Sequence, residues 1–170
     1  MRANDTVTTG AAVSWLALRV ALVVVVGAGA VTLTPLVGWS VAAVLLGVLA
    51  VVLPQSFAAW GSVACFVIGM LIAGPDPGRA MIAVLVVHLI HILTTLILVV
   101  PVRARIVLRA LRPTALRFLV VQAIAQPLTL LVMLGSAREI VEAPWVVVAG
   151  AAALVTLTVV LIVGSTGEEK

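Results

Sequence analysis

The chain is 170 residues long, with 64% hydrophobic and 9% charged residues and a mean hydropathy of +1.37. A soluble domain is about half apolar and about a quarter charged, and folding leaves about a third of a chain's surface facing its surroundings. The composition therefore excludes a water-soluble globule and predicts that lipid surrounds the protein. The net charge of +4 does not indicate nucleic-acid binding, because the cations lie between apolar runs and not on one soluble face.

Apolar runs bounded by prolines predict a single all-α transmembrane domain, residues 1–170, that contains about six transmembrane helices. At a rise of 1.5 Å per residue, most of these runs reach the roughly 30 Å of a hydrocarbon core. The second and third runs are the shortest and are joined only by residues 54–56, so they form either two short spans or a re-entrant hairpin. The predicted spans are residues 14–34, 38–53, 56–73, 80–100, 115–134 and 144–164.

The first run follows Arg2 and contains small residues near its end, which imitates a signal peptide. Arg19 interrupts this run, however, and the run continues to Thr34, so we expect an uncleaved first span. We expect the Arg19 side chain to snorkel to the membrane interface with its apolar stem in lipid. Contact with a lipid headgroup or a partner protein is the alternative.

Residues 101–114 are predicted to form a basic amphipathic linker between the fourth and fifth spans. Its cations fall on one helical face and its apolar side chains on the other, the pattern of an interfacial helix that binds anionic headgroups. Docking of an acidic partner is the alternative. The arginines in and beside this linker, with no acid among them, are Arg103, Arg105, Arg109, Arg112 and Arg117.

Cations in short loops favour the cytoplasmic side of a membrane. The basic linker is therefore predicted to be cytoplasmic, and tracing six spans outward from it places both termini in the cytoplasm. The preference for Arg over Lys, the absence of Tyr and the abundance of Ala, Val and Gly indicate a GC-rich bacterial genome. We expect a multi-pass protein of the bacterial cytoplasmic (inner) membrane.

Two polar stripes are predicted to meet inside the bilayer. One lies on the fourth span and the other on the fifth, and the members of each are three or four residues apart, so they share a helical face. If the two spans run antiparallel from the linker, His91 lies at the depth of residue 124. The stripes consist of His88, His91 and Thr95 and of Gln122, Gln126 and Thr129.

Three interpretations of these stripes are open. Interhelical hydrogen bonds that hold the two helices together are the simplest. A polar path for protons or a small solute follows from the rule that ionisable residues inside membranes are functional by default, and Pro127 would free a carbonyl beside the glutamines. Ligation of a metal or haem is the third, although histidines on one face cannot take opposite sides of one haem and no carboxylate is near.

Small residues recur at every fourth position in the third span, a pattern that predicts close helix packing. This stripe either closes contacts within the chain or forms an interface with an oligomer or a partner. The single cysteine belongs to the stripe, so we interpret it as a small packing residue and not as a reactive thiol. The members are Gly61, Cys65, Gly69 and Ala73.

The predicted spans contain no Asp or Glu, no nucleophile–base pair and no zinc-protease pattern. We therefore expect neither an enzyme nor a bound cofactor. The sequence favours a non-enzymatic accessory or structural subunit that packs beside other membrane proteins in a bilayer with anionic headgroups. The alternative is a small homo-oligomeric channel or transporter whose path is lined by the two polar stripes. The first function requires these side chains to satisfy one another in a dry contact, and the second requires them to face a wet cavity.

Overall fold

A computed structural model describes residues 12–101 and 105–136 of the chain. This part is helical apart from one antiparallel pair of three-residue strands, so the prediction of an all-α fold is confirmed. The helices are α1 (Trp15–Leu33), α2 (Val37–Val52), α3 (Ala58–Ala73), α4 (Pro77–Val99) and α5 (Leu108–Ser136), and the strands are β1 (Ala12–Ser14) and β2 (Arg105–Val107).

Three of these helices, α1, α4 and α5, are long and apolar enough to cross a membrane. The other two, α2 and α3, have 16 residues each, which corresponds to about 24 Å at 1.5 Å per residue and falls short of a hydrocarbon core. Prolines limit both, because proline lacks an N–H and disfavours helix at the preceding residue. The described residues thus give three candidate spans, not six, and the predicted span 144–164 lies outside them.

Helix α1 packs against α2 and α4 and, over a smaller area, against α3; α2 also packs along α3. The largest side chains in this core are Phe66 of α3 and Leu22 of α1, both almost completely buried. Because lipid is as apolar as these side chains, close packing holds helices together in a membrane better than burial does. Close approach is visible at Gly47 of α2, where an added Cβ would lie 2.8 Å from Cγ1 of Val26.

The turn before α4 is specified locally by three residues. Gly74 ends α3 with φ at +81°, a conformation that costs glycine little and other residues more. Asp76 then caps α4, because its carboxylate accepts a 2.7 Å hydrogen bond from the main-chain N–H of Arg79. Pro77 occupies the first helical position, where a missing N–H is harmless. These residues fix where α4 begins, and hence how far His88 and His91 lie from that end of the helix.

The region predicted as an amphipathic linker, residues 101–114, departs from the predicted helical pattern at residues 105–107. Residues 105–107 form β2, which pairs antiparallel with β1 in the register Ala12 to Val107 and Ser14 to Arg105. Helix α5 begins at Leu108 and continues through Pro113. Backbone pairing with a segment near the N-terminus explains the strand, and helical periodicity within the linker could not reveal it. Residues 102–104 lie outside the described part.

Candidate functional site

The main polar contact inside the described structure joins the middle of α4 to the middle of α5. Nε2 of Gln122 lies 3.3 Å from Nδ1 of His88. The amide donates this hydrogen bond, which places the imidazole proton on Nε2. The His88 ring also lies against Phe118, with 4.9 Å between the ring centroids. Gln122 is buried and His88 is half-buried, so the contact is shielded by the two helices themselves.

Gln126 extends this contact by one helical turn. Its Nε2 donates to Oε1 of Gln122 at 3.0 Å and to the main-chain carbonyl of Met81 at 3.1 Å. The result is a connected network from α5 to α4, which we call the His88–Gln122–Gln126 network. One polar atom of the network, Oε1 of Gln126, is buried and has no hydrogen-bond partner in the described part of the chain.

The remaining members of the two predicted stripes do not bridge the helices. The hydroxyls of Thr95 and Thr129 each donate to a carbonyl of their own helix, those of His91 and Ala125, at 2.9 and 2.8 Å. The His91 ring is exposed, with its centroid 6.0 Å from the ring centroid of Trp60 on α3. The structure therefore brings together three of the six predicted residues, and places the other three beside them.

The register of α4 against α5 differs from the predicted one. The sequence predicts His91 at the depth of residue 124, whereas the structure places His88 beside Gln122. The cause is the start of α5 at Leu108 instead of residue 115. Because α5 starts earlier and runs antiparallel to α4, each of its residues lies closer to the N-terminal end of α4 than predicted. As a result, His91 lines a cavity together with Arg117 and not with the glutamines.

Phe118 and Thr114 are site residues that the polar stripes did not predict. Phe118 contacts the His88 ring, and Thr114 lines the same cavity as His91. The only available indication was their spacing, because residues 114, 118 and 122 are four residues apart and share one helical face. Of the five predicted basic residues, Arg109, Arg112 and Arg117 are exposed on α5, Arg105 belongs to β2, and Arg103 lies outside the described residues.

The stripe of small residues on α3 contacts other helices of the same chain. A Cβ added at Gly69 would lie 2.7 Å from Cγ2 of Thr34 and 3.0 Å from the Leu33 carbonyl oxygen, and one at Gly61 would lie 3.1 Å from Cδ1 of Leu46. Cys65 is buried and unpaired, and Ala73 is half-buried. The contacts at Gly61 and Gly69 are consistent with packing inside the chain.

Arg19 makes an intramolecular contact that the snorkelling prediction did not include. Its Nη1 donates a 2.6 Å hydrogen bond to the carbonyl of Val51, and its guanidinium carbon lies 3.9 Å from the centre of the Trp15 ring. The Val51 carbonyl belongs to the last turn of α2, where carbonyls have no partner within the helix. A cation also interacts favourably with this end of a helix dipole, so Arg19 links α1 to the end of α2.

The site residues described above carry hydrogen-bond donors, hydrogen-bond acceptors and positive charge. Among residues 12–101 and 105–136, no group of three His, Cys, Asp or Glu side chains could hold a metal ion. Comparison of the chain with protein-family models, characterised proteins and solved structures gives no match. Function therefore has to be inferred from the geometry of the site itself.

Proposed function

We propose that the protein is a non-enzymatic accessory or structural subunit of a larger membrane protein assembly. The observation that carries this proposal is the His88–Gln122–Gln126 network, in which Gln122 of α5 donates to His88 of α4 at 3.3 Å and Gln126 of α5 donates to the main-chain carbonyl of Met81 on α4 at 3.1 Å. Polar groups inside a membrane need partners, and His88, Gln122 and Gln126 find them in the neighbouring helix. Such a contact supports a structural role for the stripes.

The surface of α5 provides further support for a subunit. Apart from the narrow face that carries the network, most of its large apolar side chains are exposed; Ile124 is 65% and Leu131 70% accessible. The helix is attached to α4 mainly through polar contacts and the Phe118 ring. We propose that the outer face of α5 binds neighbouring membrane proteins.

We further propose six spans with both termini in the cytoplasm, in the cytoplasmic (inner) membrane of a bacterium. The pairing of β1 with β2 supports placing the N-terminal segment and the basic linker at one end of the helices. The arginines in and around that linker support the cytoplasmic side. A crossing by α2 and α3 would require a locally thin bilayer, because both are short.

A small homo-oligomeric channel or transporter is the second candidate. The observation that favours it is the buried Oε1 of Gln126, which has no hydrogen-bond partner among the described residues. Water in a polar path along His88, His91 and the glutamines would satisfy this atom. The direct hydrogen bonds within the network favour the subunit, because a conducting path would have to compete with them.

Photo-cross-linking from the outer face of α5 tests the proposed subunit. A photoreactive residue at Ile124 or Leu131 should cross-link to a protein of a different, reproducible mass in the native membrane. The matched control position is Leu71 on α3, which is 78% exposed and should give lipid adducts only. Lipid adducts alone at all three positions, or cross-links only between copies of this chain, would contradict the proposal.

A further inference from the structure

A cavity of about 320 Å³ lies between α4 and α5 beside the His88–Gln122–Gln126 network. We call it the α4–α5 cavity. Four of its lining residues have polar groups that the network does not use, and most of the others are apolar. This size lies within the range of small-molecule sites, which combine an apolar wall with a few convergent polar groups. The polar members are His91 and Thr95 from α4 and Thr114 and Arg117 from α5.

Arg117 is the charged group of this cavity. Its guanidinium keeps its positive charge, and it has no hydrogen bond or ion pair with any residue of the described part of the chain. Among these residues the only acid is Asp76, which caps the opposite end of α4. An unpaired cation on a membrane-spanning helix is costly. The chemistry of the cavity therefore fits an anion.

Two further hydrogen-bond donors line the cavity together with this cation. The exposed His91 ring makes no hydrogen bond within the described residues, and the hydroxyl of Thr114 is similarly available. The Thr95 hydroxyl already donates to the His91 carbonyl, so its proton is not available to the anion. A guanidinium with further N–H and O–H donors suits an oxyanion with several oxygens, and guanidinium geometry matches phosphate in a two-point contact.

The position of the cavity along the helices indicates which kind of molecule the anionic group belongs to. Arg109 and Arg112 are exposed in the first turns of α5, and Arg117 follows about 8 Å deeper at 1.5 Å per residue. Thr95 lies about one turn before α4 ends at Val99. These positions correspond to the boundary between headgroups and hydrocarbon. The apolar wall, which includes Ile92 and Phe118, faces a region that acyl chains occupy.

We infer that the α4–α5 cavity binds the phosphate group of an anionic phospholipid. Arg117 holds the phosphate, His91 and Thr114 donate further hydrogen bonds, and an acyl chain lies along Ile92 and Phe118. Basic pockets between membrane helices are known to hold such headgroups. This site differs from general attraction of the basic linker to a charged membrane surface, because Arg117 lines the cavity whereas Arg109 and Arg112 do not. The inference holds whether the protein is a subunit or a channel.

Native mass spectrometry of the full-length protein in mild detergent tests this site with three probes: phosphatidylglycerol, phosphatidylcholine and inorganic phosphate. We expect one tightly bound phosphatidylglycerol, and weaker binding of phosphatidylcholine because its choline cation opposes Arg117. Arg117→Gln should weaken phosphatidylglycerol binding about tenfold, since a charge-assisted contact is lost. The matched control is Arg112→Gln on the same helix, which removes the same charge outside the cavity and should change binding less than about twofold.

Two further variants separate loss of the site from loss of the fold. Arg117→Lys keeps the charge but loses the two-point contact, so its affinity should lie between those of the wild type and Arg117→Gln. Thr114→Val changes no charge and should also weaken phosphatidylglycerol binding. Equal weakening by Arg112→Gln and Arg117→Gln, or no weakening by either, would overturn the site. Displacement of the lipid by an equal concentration of inorganic phosphate would assign the cavity to a free anion and overturn the lipid.

Discussion

Replacement of Gly69 by alanine should destabilise the bundle by forcing α3 away from the end of α1. The new Cβ would lie 2.7 Å from Cγ2 of Thr34 and 3.0 Å from both the Thr34 Cα and the Leu33 carbonyl oxygen, whereas ordinary contacts begin at 3.4 Å. Two of these three atoms are main-chain atoms, so rotation of a side chain cannot relieve the overlap. Overpacking of this kind costs about 1–3 kcal/mol.

The matched control is Gly27→Ala on α1, because a Cβ at Gly27 would have no neighbour within 4 Å. Both variants gain the higher helix propensity of alanine, up to about 1 kcal/mol. The difference between their unfolding free energies therefore measures the steric cost at Gly69. Gly61→Ala should lie between them, since its nearest contact, at 3.1 Å, is the flexible end of Leu46.

Equilibrium unfolding in mixed micelles, followed by the fluorescence of the four tryptophans, gives these free energies. We expect Gly69→Ala to be less stable than Gly27→Ala by about 1–3 kcal/mol, with Gly61→Ala in between. If the Gly69 and Gly27 variants agree within about 0.5 kcal/mol, the close approach of α3 to α1 would be refuted, and with it the assignment of the small-residue stripe to contacts within the chain.

Three further predictions concern polar groups. Arg19→Met should lower the unfolding free energy by about 2–3 kcal/mol, because it removes a charge-assisted hydrogen bond to Val51 and a cation–π contact. Gln122→Leu should lower it by about 1–2 kcal/mol in the same assay, since two hydrogen bonds between polar side chains are lost. Liposomes containing the wild-type protein should pass no more protons than protein-free liposomes, and the double variant His88→Leu/His91→Leu should not change this flux.

For Arg19, an unchanged stability in Arg19→Met would indicate a side chain that merely snorkels to the interface. For Gln122, the control is Thr129→Val, because the Thr129 hydroxyl bonds only to its own helix; an equal loss in both variants would argue against an interhelical contact. For the histidines, proton flux in the wild type that the double variant abolishes would establish the channel.

The helix ends that follow from local chemistry were well predicted from the sequence. Prolines and short turns gave runs of 38–53 and 56–73, and the structure has α2 as Val37–Val52 and α3 as Ala58–Ala73. Periodicity also identified His88, Gln122 and Gln126 as members of two stripes, which the structure brings into contact. These features depend on residues within one helix or at its ends, where spacing carries the information.

Features that depend on distant parts of the chain were not predicted. The start of α5 at Leu108 accompanies the pairing of β2 with β1 near the N-terminus, and the error in this start produced the error in the α4–α5 register. The contact of Arg19 with Val51 follows from the α1–α2 hairpin. It could have been inferred by aligning the two helices about their connecting turn, because Val51 then lies at the depth of Arg19.

Native mass spectrometry of the tagged protein, extracted from its own membrane in lipid discs, tests most directly whether this chain is a subunit. We expect it to emerge together with unlike membrane proteins in a fixed ratio, and Gln122→Leu should reduce the amount of this complex because α5 is then less firmly held against α4. Recovery of the chain alone, as a closed homo-oligomer of constant size, would contradict the proposed accessory function and favour the channel.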